Sequence, residues 1–422
     1  MTNIYTCTSI IVTVSTAISY INHRFIKMPS SIAIVSGALL LSLGLTLAGK
    51  LGLNAIQIET TRLLANINFH DLLINGMLSF LLFGGALNVD LRHLYSQKWE
   101  IAALSLLSTI LSTLLVGILI YYFLPMIGLH LSFNYCLLFG ALISPTDPIA
   151  VLAIFKETKA PRDIRIMVEG ESLFNDGVGI VLFLTIYQMT FSSQLITWHA
   201  ITFLFINQTV GGILYGLLFG IIAHWLIRPV KNSSIEVLIT LTIATGGYAL
   251  AQCIGVSGPL AMVAAGIVIG NYGRQFSLLP PAQQCLSVFW ELLEEILNAA
   301  LFLLIGLELL IIPINNKAFI ASCIAIPIVL GVRYISVAAP ITVFKYWRLH
   351  NEKAISILTW GGLRGGLAVA LALSLPHSTH RNLILVMTYA IVLFAIVVQG
   401  LTMKPLVMAS MAPVEPPSPT LD

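Results

Sequence analysis

Phe133-Asn-Tyr-Cys-Leu-Leu-Phe-Gly-Ala-Leu-Ile-Ser-Pro-Thr-Asp-Pro-Ile-Ala-Val-Leu-Ala-Ile154 is apolar enough to lie in a lipid bilayer, yet it carries Pro145, Asp147 and Pro148 near its centre. Pro148 has no amide hydrogen to donate and its ring collides with the carbonyl of Ser144, while Pro145 disturbs the turn before it. The helix is therefore expected to break at Thr146-Asp147. A break at membrane depth frees amides and carbonyls, which is tolerable only where they line a cavity or meet ions.

The rest of the chain supports a membrane reading. Of 422 residues 58% are hydrophobic and 9% charged, against roughly 25% charged in a soluble domain. With 21 basic and 18 acidic residues, most of the surface must face lipid. The net charge of +3 is spread along the chain, which excludes the basic patch of a nucleic-acid binder. Cys7, Cys136, Cys253, Cys285 and Cys323 lie far apart without metal-ligand spacing, so they read as lipid-embedded thiols.

Apolar runs fall near 4–21, 30–48, 72–89, 101–124, 133–154, 168–190, 201–227, 235–254, 257–271, 286–311, 318–344, 353–374 and 382–409. They predict about thirteen membrane-spanning helices and no soluble domain. No basic residue precedes the first run, while His23, Arg24 and Lys27 follow it, so it reads as a retained span rather than a signal peptide. With the N-terminus outside, fifteen Lys and Arg fall in inner loops and four (Lys50, Arg62, Lys317, Arg381) in outer ones. That asymmetry predicts an N-out, C-in chain. Residues 1–411 are expected to form a single transmembrane domain, and 412–422, rich in proline, a short disordered tail.

Inside the spans this leaves Asp147, Glu171, Asp176, Glu308, Arg333 and Arg364, with Glu169 at an interface. Each charge costs about 2.5–3.5 kcal/mol at the bilayer centre on insertion scales, so each needs a compensating partner or a function. Trp360-Gly-Gly-Leu-Arg-Gly-Gly366 weakens a second span, about 217 residues after the first break. Interrupted spans at corresponding places of two halves point to a transporter site. Two inverted repeats with crossing broken helices are expected, with Asp147 and Arg364 offsetting the half-helix dipoles.

Glu169-Gly-Glu-Ser-Leu-Phe-Asn-Asp-Gly177 opens the sixth span. At helical spacing Ser172 and Asp176 share one face and Glu171 and Asn175 the adjacent one. The first row offers hydroxyl and carboxylate oxygens to a hard cation; the second supplies a carboxylate for an arginine to neutralise.

S-P-T-D-P, G-E-S-L-F-N-D, G-V-R-Y and W-G-G-L-R-G-G, in that order, resemble the monovalent cation:proton antiporters of the sodium/hydrogen exchanger branch, of the bacterial sodium/proton antiporter type. The resemblance implies that Asp176 binds the ion and the proton, with Thr146 (through its main-chain carbonyl), Asp147 and Ser172 as further ligands or their immediate support. It implies that Asn175 steadies the crossing and that Glu171 pairs with Arg333, Arg364 being the alternative. It also implies a homodimer in the cell membrane, with no cofactor beyond the transported ions. One position departs from the family: relatives often carry an acid in the third span where this chain has Gly84, which bears on the choice among sodium, the first expectation, lithium and potassium.

A carboxylate that holds a proton or a cation, never both, couples the two fluxes by competition, provided that it titrates near ambient pH. Asn175, beside Asp176, cannot carry a second proton, so electroneutral exchange of one proton per cation by alternating access is expected. Two other classes compete. A channel needs rings of ligands rather than one asymmetric site. An intramembrane aspartic protease could use Asp147 and Asp176, but the second aspartate stands in Phe174-Asn-Asp-Gly177 rather than in a G-x-G-D sequence. An enzyme is therefore not expected.

Overall fold

The computed structural model describes residues 4–51, 69–192, 198–230, 232–272, 280–310, 315–345 and 352–411. The expected tail at 412–422 and the loop charges Arg62, Lys231, Arg274 and Arg348 lie outside the described residues.

The described residues are almost entirely helical. In chain order the principal helices are α1 (Ile4–Ile21), α2 (Ser30–Lys50), α3 (Phe69–Asn88), α4 (Lys98–Ile127), α5 (Phe133–Ile143), α6 (Ile149–Thr158), α7 (Arg162–Phe191) and α8 (Trp198–Ile227). They continue with α9 (Ser233–Ile254), α10 (Gly258–Tyr272), α11 (Pro280–Leu307), α12 (Asn316–Lys345), α13 (Glu352–Trp360), α14 (Gly366–Leu373) and α15 (Thr379–Ser410). Among the described residues eight are long and apolar enough to cross a membrane: α2, α3, α4, α7, α8, α9, α12 and α15. Helix also fills every other expected apolar run, in α1, α5 with α6, α10, α11, and α13 with α14.

Some boundaries differ from the hydropathy reading for a physical reason. α7 starts at Arg162, ahead of its apolar run, because Pro161 sets a helical entry whose first turns carry Arg162, Asp163 and Arg165. Hydropathy averages side chains and misses a polar first turn. α3, α4, α9 and α15 each contain a π-helical stretch, such as Leu72–Met77 around Asn75-Gly76, which a 3.6-residue pattern does not announce.

Packing sorts the helices into two groups. α8 lies along α10 and α10 along α3, while α11 lies against α1, α2, α3 and α9. On the other side α4 and α7 pack on α5, α12 on α4 and α15, and α14 on α5 and α15. The two broken helices, α5/α6 and α13/α14, sit in this second group, and α7 and α11 run along the seam toward the first.

Candidate functional site

The first break spans residues 144–148, between the end of α5 at Ile143 and the start of α6 at Ile149. The second spans 361–365, between α13 and α14. The two meet directly, for the Asp147 amide donates to the Leu363 carbonyl at 2.8 Å. Arg364, 2% exposed, donates from Nη1 to the carbonyl oxygens of Ser144 and, at 2.8 Å, Pro145. Those are the carbonyls that α5 leaves open at its C-terminal end, where a cation is favoured. Asp147 Oδ1 accepts from the Ile149 amide at 3.0 Å and so satisfies a donor at the start of α6. Each charge thus answers the end of a half-helix.

The approach is close enough to need glycine. A Cβ on Gly365 would run into the Asp147 carboxylate and one on Gly362 into the Arg333 guanidinium.

α7 supplies the remaining groups. Asn175 Nδ2 donates to Thr146 Oγ1 at 2.7 Å, Asn175 Oδ1 accepts from the Thr146 amide at 3.4 Å, and Ser172 Oγ lies 3.2 Å from Thr146 Oγ1. Thr146, Ser172 and Asn175 are all buried. The unwound segment is therefore held to α7 by three contacts to one threonine. Neighbouring positions diverge: Glu171, 1% exposed, meets Arg333 from α12, 4% exposed, in a two-pronged pair, with Nη2 to Oε2 at 3.0 Å and Nη1 to Oε1. Nη2 also donates to the Leu358 carbonyl at 3.1 Å. Glu171 thus meets Arg333 and not Arg364, whose bonds go to carbonyls.

Asp176 differs from Glu171, which is paired with Arg333, and from Glu169, whose charged neighbours are the basic Arg165 and Lys156. It is half-buried, as is Asp147, and among the described residues it makes no hydrogen bond or ion pair. The Asp147 carboxylate is its charged neighbour. Two carboxylates within electrostatic reach, one of them unpartnered and both still accessible, on segments that also carry the Thr146 and Ser172 hydroxyls, offer donors for a hard monovalent cation or a proton.

Other singled-out positions lie apart from this group. Glu308 is 9% exposed in the turn after α11, within electrostatic reach of Arg381. Gly84 lies in α3 against Trp290 and Glu294 of α11. Glu294 is passed over by a reading of span composition because Glu291, Glu294 and Glu295 look like the polar stripe of an amphipathic helix. The available signal is register: Glu294 shares its face with Asn298 and Phe302.

Comparison with known proteins gives a consistent result. The family described as "Sodium/hydrogen exchanger, transmembrane" matches residues 11–409. The chain is 42% identical over 400 residues to the Na(+)/H(+) antiporter NhaP of Pseudomonas aeruginosa, covering 94% of each chain. It is 35% identical over 391 residues to the Na(+)/H(+) antiporter NhaH of Halobacillus aidingensis, covering 91% of this chain and 92% of that one. Among solved structures it superposes on the sodium proton antiporter MjNhaP1 of Methanocaldococcus jannaschii with a TM-score of 0.73 at 18% identity, over 95% of this chain and 97% of the other. That likeness shows the fold.

Proposed function

The chain belongs to the sodium/hydrogen exchanger family, matched from residue 11 to residue 409, and from that premise we propose that it exchanges sodium for protons through the Asp176 carboxylate. The observation that carries this reading is the unpartnered, half-buried Asp176 beside a broken helix whose ends Asp147 and Arg364 already satisfy. Because those ends need no ion to complete them, an arriving cation meets the carboxylates and hydroxyls rather than competing with backbone. Names of the relatives, antiporters of sodium and protons, support the choice of cargo.

In this reading Asp176 binds the proton or the cation, Asp147 adds negative potential, and Ser172 and the Thr146 carbonyl supply neutral oxygens. Asn175 fixes Thr146, and the Glu171–Arg333 pair ties α7 to α12 without touching cargo. A bound proton removes the charge that attracts sodium, and bound sodium occupies the oxygen that the proton needs. One exchangeable proton per cation makes transport electroneutral. The group holding both broken helices moves against the group of α3, α8 and α10, exposing the site to each side in turn. Residues 1–411 act as one transmembrane unit with the N-terminus outside, placed in the cell membrane and paired as a homodimer.

The test is dye-reported proton movement in everted vesicles on adding sodium, lithium or potassium, with wild type beside Asp176→Asn. Wild type should collapse an imposed pH gradient on sodium addition and the variant should not. No response to any cation in the wild type would sink the reading. Turnover that accelerates with membrane potential in potassium-clamped vesicles would sink the one-to-one stoichiometry alone.

A further inference from the structure

Glu294 is a carboxylate at the middle of the 28-residue helix α11, and among the described residues it makes no hydrogen bond or ion pair. Its place is fixed by its surroundings. One turn earlier Trp290, 1% exposed, stacks on Phe83 of α3 at 4.7 Å between ring centroids and donates Nε1 to Thr240 Oγ1 of α9 at 3.0 Å. Gly84, next to Phe83, leaves the space into which the carboxylate reaches: Glu294 Oε2 lies 3.9 Å from the point where a Cβ on Gly84 would stand.

The same face of α11 leads toward the broken helices. Asn298, one turn after Glu294, is 7% exposed and its Oδ1 has no partner. Phe302, one turn further, lines a small cavity together with Asp147, Ser31 and Arg364. Glu294, Asn298 and Phe302 therefore form one stripe along the seam between the two helix groups. The charged groups within electrostatic reach of Glu294 are Asp147, Lys156 of α6, Glu169 of α7 and Glu291 of α11 itself, so acids outnumber the single base.

A buried carbonyl oxygen without a donor and an intramembrane carboxylate without a hydrogen bond or ion pair are both costly unless something positive visits them. Together they are hard-cation chemistry, an anionic oxygen and a neutral one. We propose that Glu294 and Asn298 form a second monovalent-cation site, on the inner side of the seam, which holds the incoming ion before it passes to Asp147 and Asp176. This rests on the exchange reading and on the N-out orientation given above. Its effect is to concentrate the cation at the inner mouth, so it acts on apparent affinity from that side.

The experiment measures the sodium dependence of exchange in everted vesicles, where added ion meets the inner face, and in right-side-out vesicles. Glu294→Gln should raise the apparent KM for sodium about tenfold from the inner face, with a much smaller change in maximal rate and in KM from the outer face. Asn298→Ala should move the inner KM in the same direction. Gly84→Glu combined with Glu294→Ala returns a carboxylate to the same space from α3 and should restore the low KM, which a merely structural Glu294 would not allow. A wild-type inner KM in Glu294→Gln, an equal rise from both faces, or failure of the folded Gly84→Glu rescue overturns the second site while exchange itself stands. Absence of exchange in the wild type fails the underlying reading instead.

Discussion

Replacing Glu171 alone should destabilise the protein more than replacing Glu171 and Arg333 together. In the folded state Glu171 is 1% and Arg333 4% exposed, and the carboxylate takes two guanidinium bonds while Leu358 takes a third. In Glu171→Leu the guanidinium keeps one carbonyl, its Nε already lacks a partner, and the like charge of Arg364 is close enough to act on it. Breaking one side of a buried pair costs about 3–5 kcal/mol. At about 1.36 kcal/mol per decade that is roughly two to four decades in the folded-to-unfolded ratio, out of a total of about 5–15 kcal/mol. Glu171→Leu/Arg333→Met removes both charges at similar volume and should regain most of the loss. The assay is thermal unfolding in detergent by fluorescence-detected size exclusion for wild type, both single variants and the double. The double variant should melt above Glu171→Leu and should retain exchange where it is folded, because neither group touches cargo. A double variant that loses the sum of the two single losses would show the groups to be uncoupled and refute the reasoning.

Gly365→Ala should abolish exchange in everted vesicles because its methyl meets the Asp147 carboxylate, whereas Gly331→Ala, with nothing within 4 Å of the added carbon, should transport normally and melt no lower than wild type. Thr146→Ala strips Asn175 Nδ2 and Ser172 Oγ of a buried partner and should cost about 1–3 kcal/mol in thermal unfolding, with Thr146→Ser recovering most of it. Lys404→Ala should change stability by no more than about 1 kcal/mol, since Lys404 and Glu157 form an ion pair with side chains 46% and 57% exposed.

Much of this site is legible along the chain because proline and glycine declare their geometry locally. Pro145 and Pro148 mark the first break without reference to anything distant, and the four glycines around Arg364 mark the second. The spacing of Ser172, Asn175 and Asp176 gives their faces on one helix. What crosses between helices is not written in any local pattern. Arg333 and Arg364 are both lone arginines in apolar spans, and only the fold brings the first to Glu171 and the second to the Ser144 and Pro145 carbonyls. Glu294 is invisible for the opposite reason: with Glu291 and Glu295 beside it, it resembles the ordinary polar face of a helix, and its meaning comes from Gly84 and Asn298 on other turns and another helix. The π-helical stretches escape a hydropathy window because they leave side-chain apolarity unchanged, and the first turns of α7 escape it because their charged residues lower the average below that of a span.

The central claim is that one carboxylate exchanges one proton for one cation, and proton release on sodium binding tests it most directly. Purified protein in weakly buffered detergent solution is titrated with sodium at a series of pH values, and released protons are counted per bound ion. Below the pKa of the Asp176 carboxyl the group is protonated and each sodium displaces its proton; above it the group is already ionised and release vanishes. Wild type should therefore approach one proton per sodium as pH falls and never exceed it, Asp176→Asn should release fewer protons than wild type, and Asp176→Asn combined with Glu294→Gln should release none. Two protons per ion, or undiminished release from Asp176→Asn, would contradict the account.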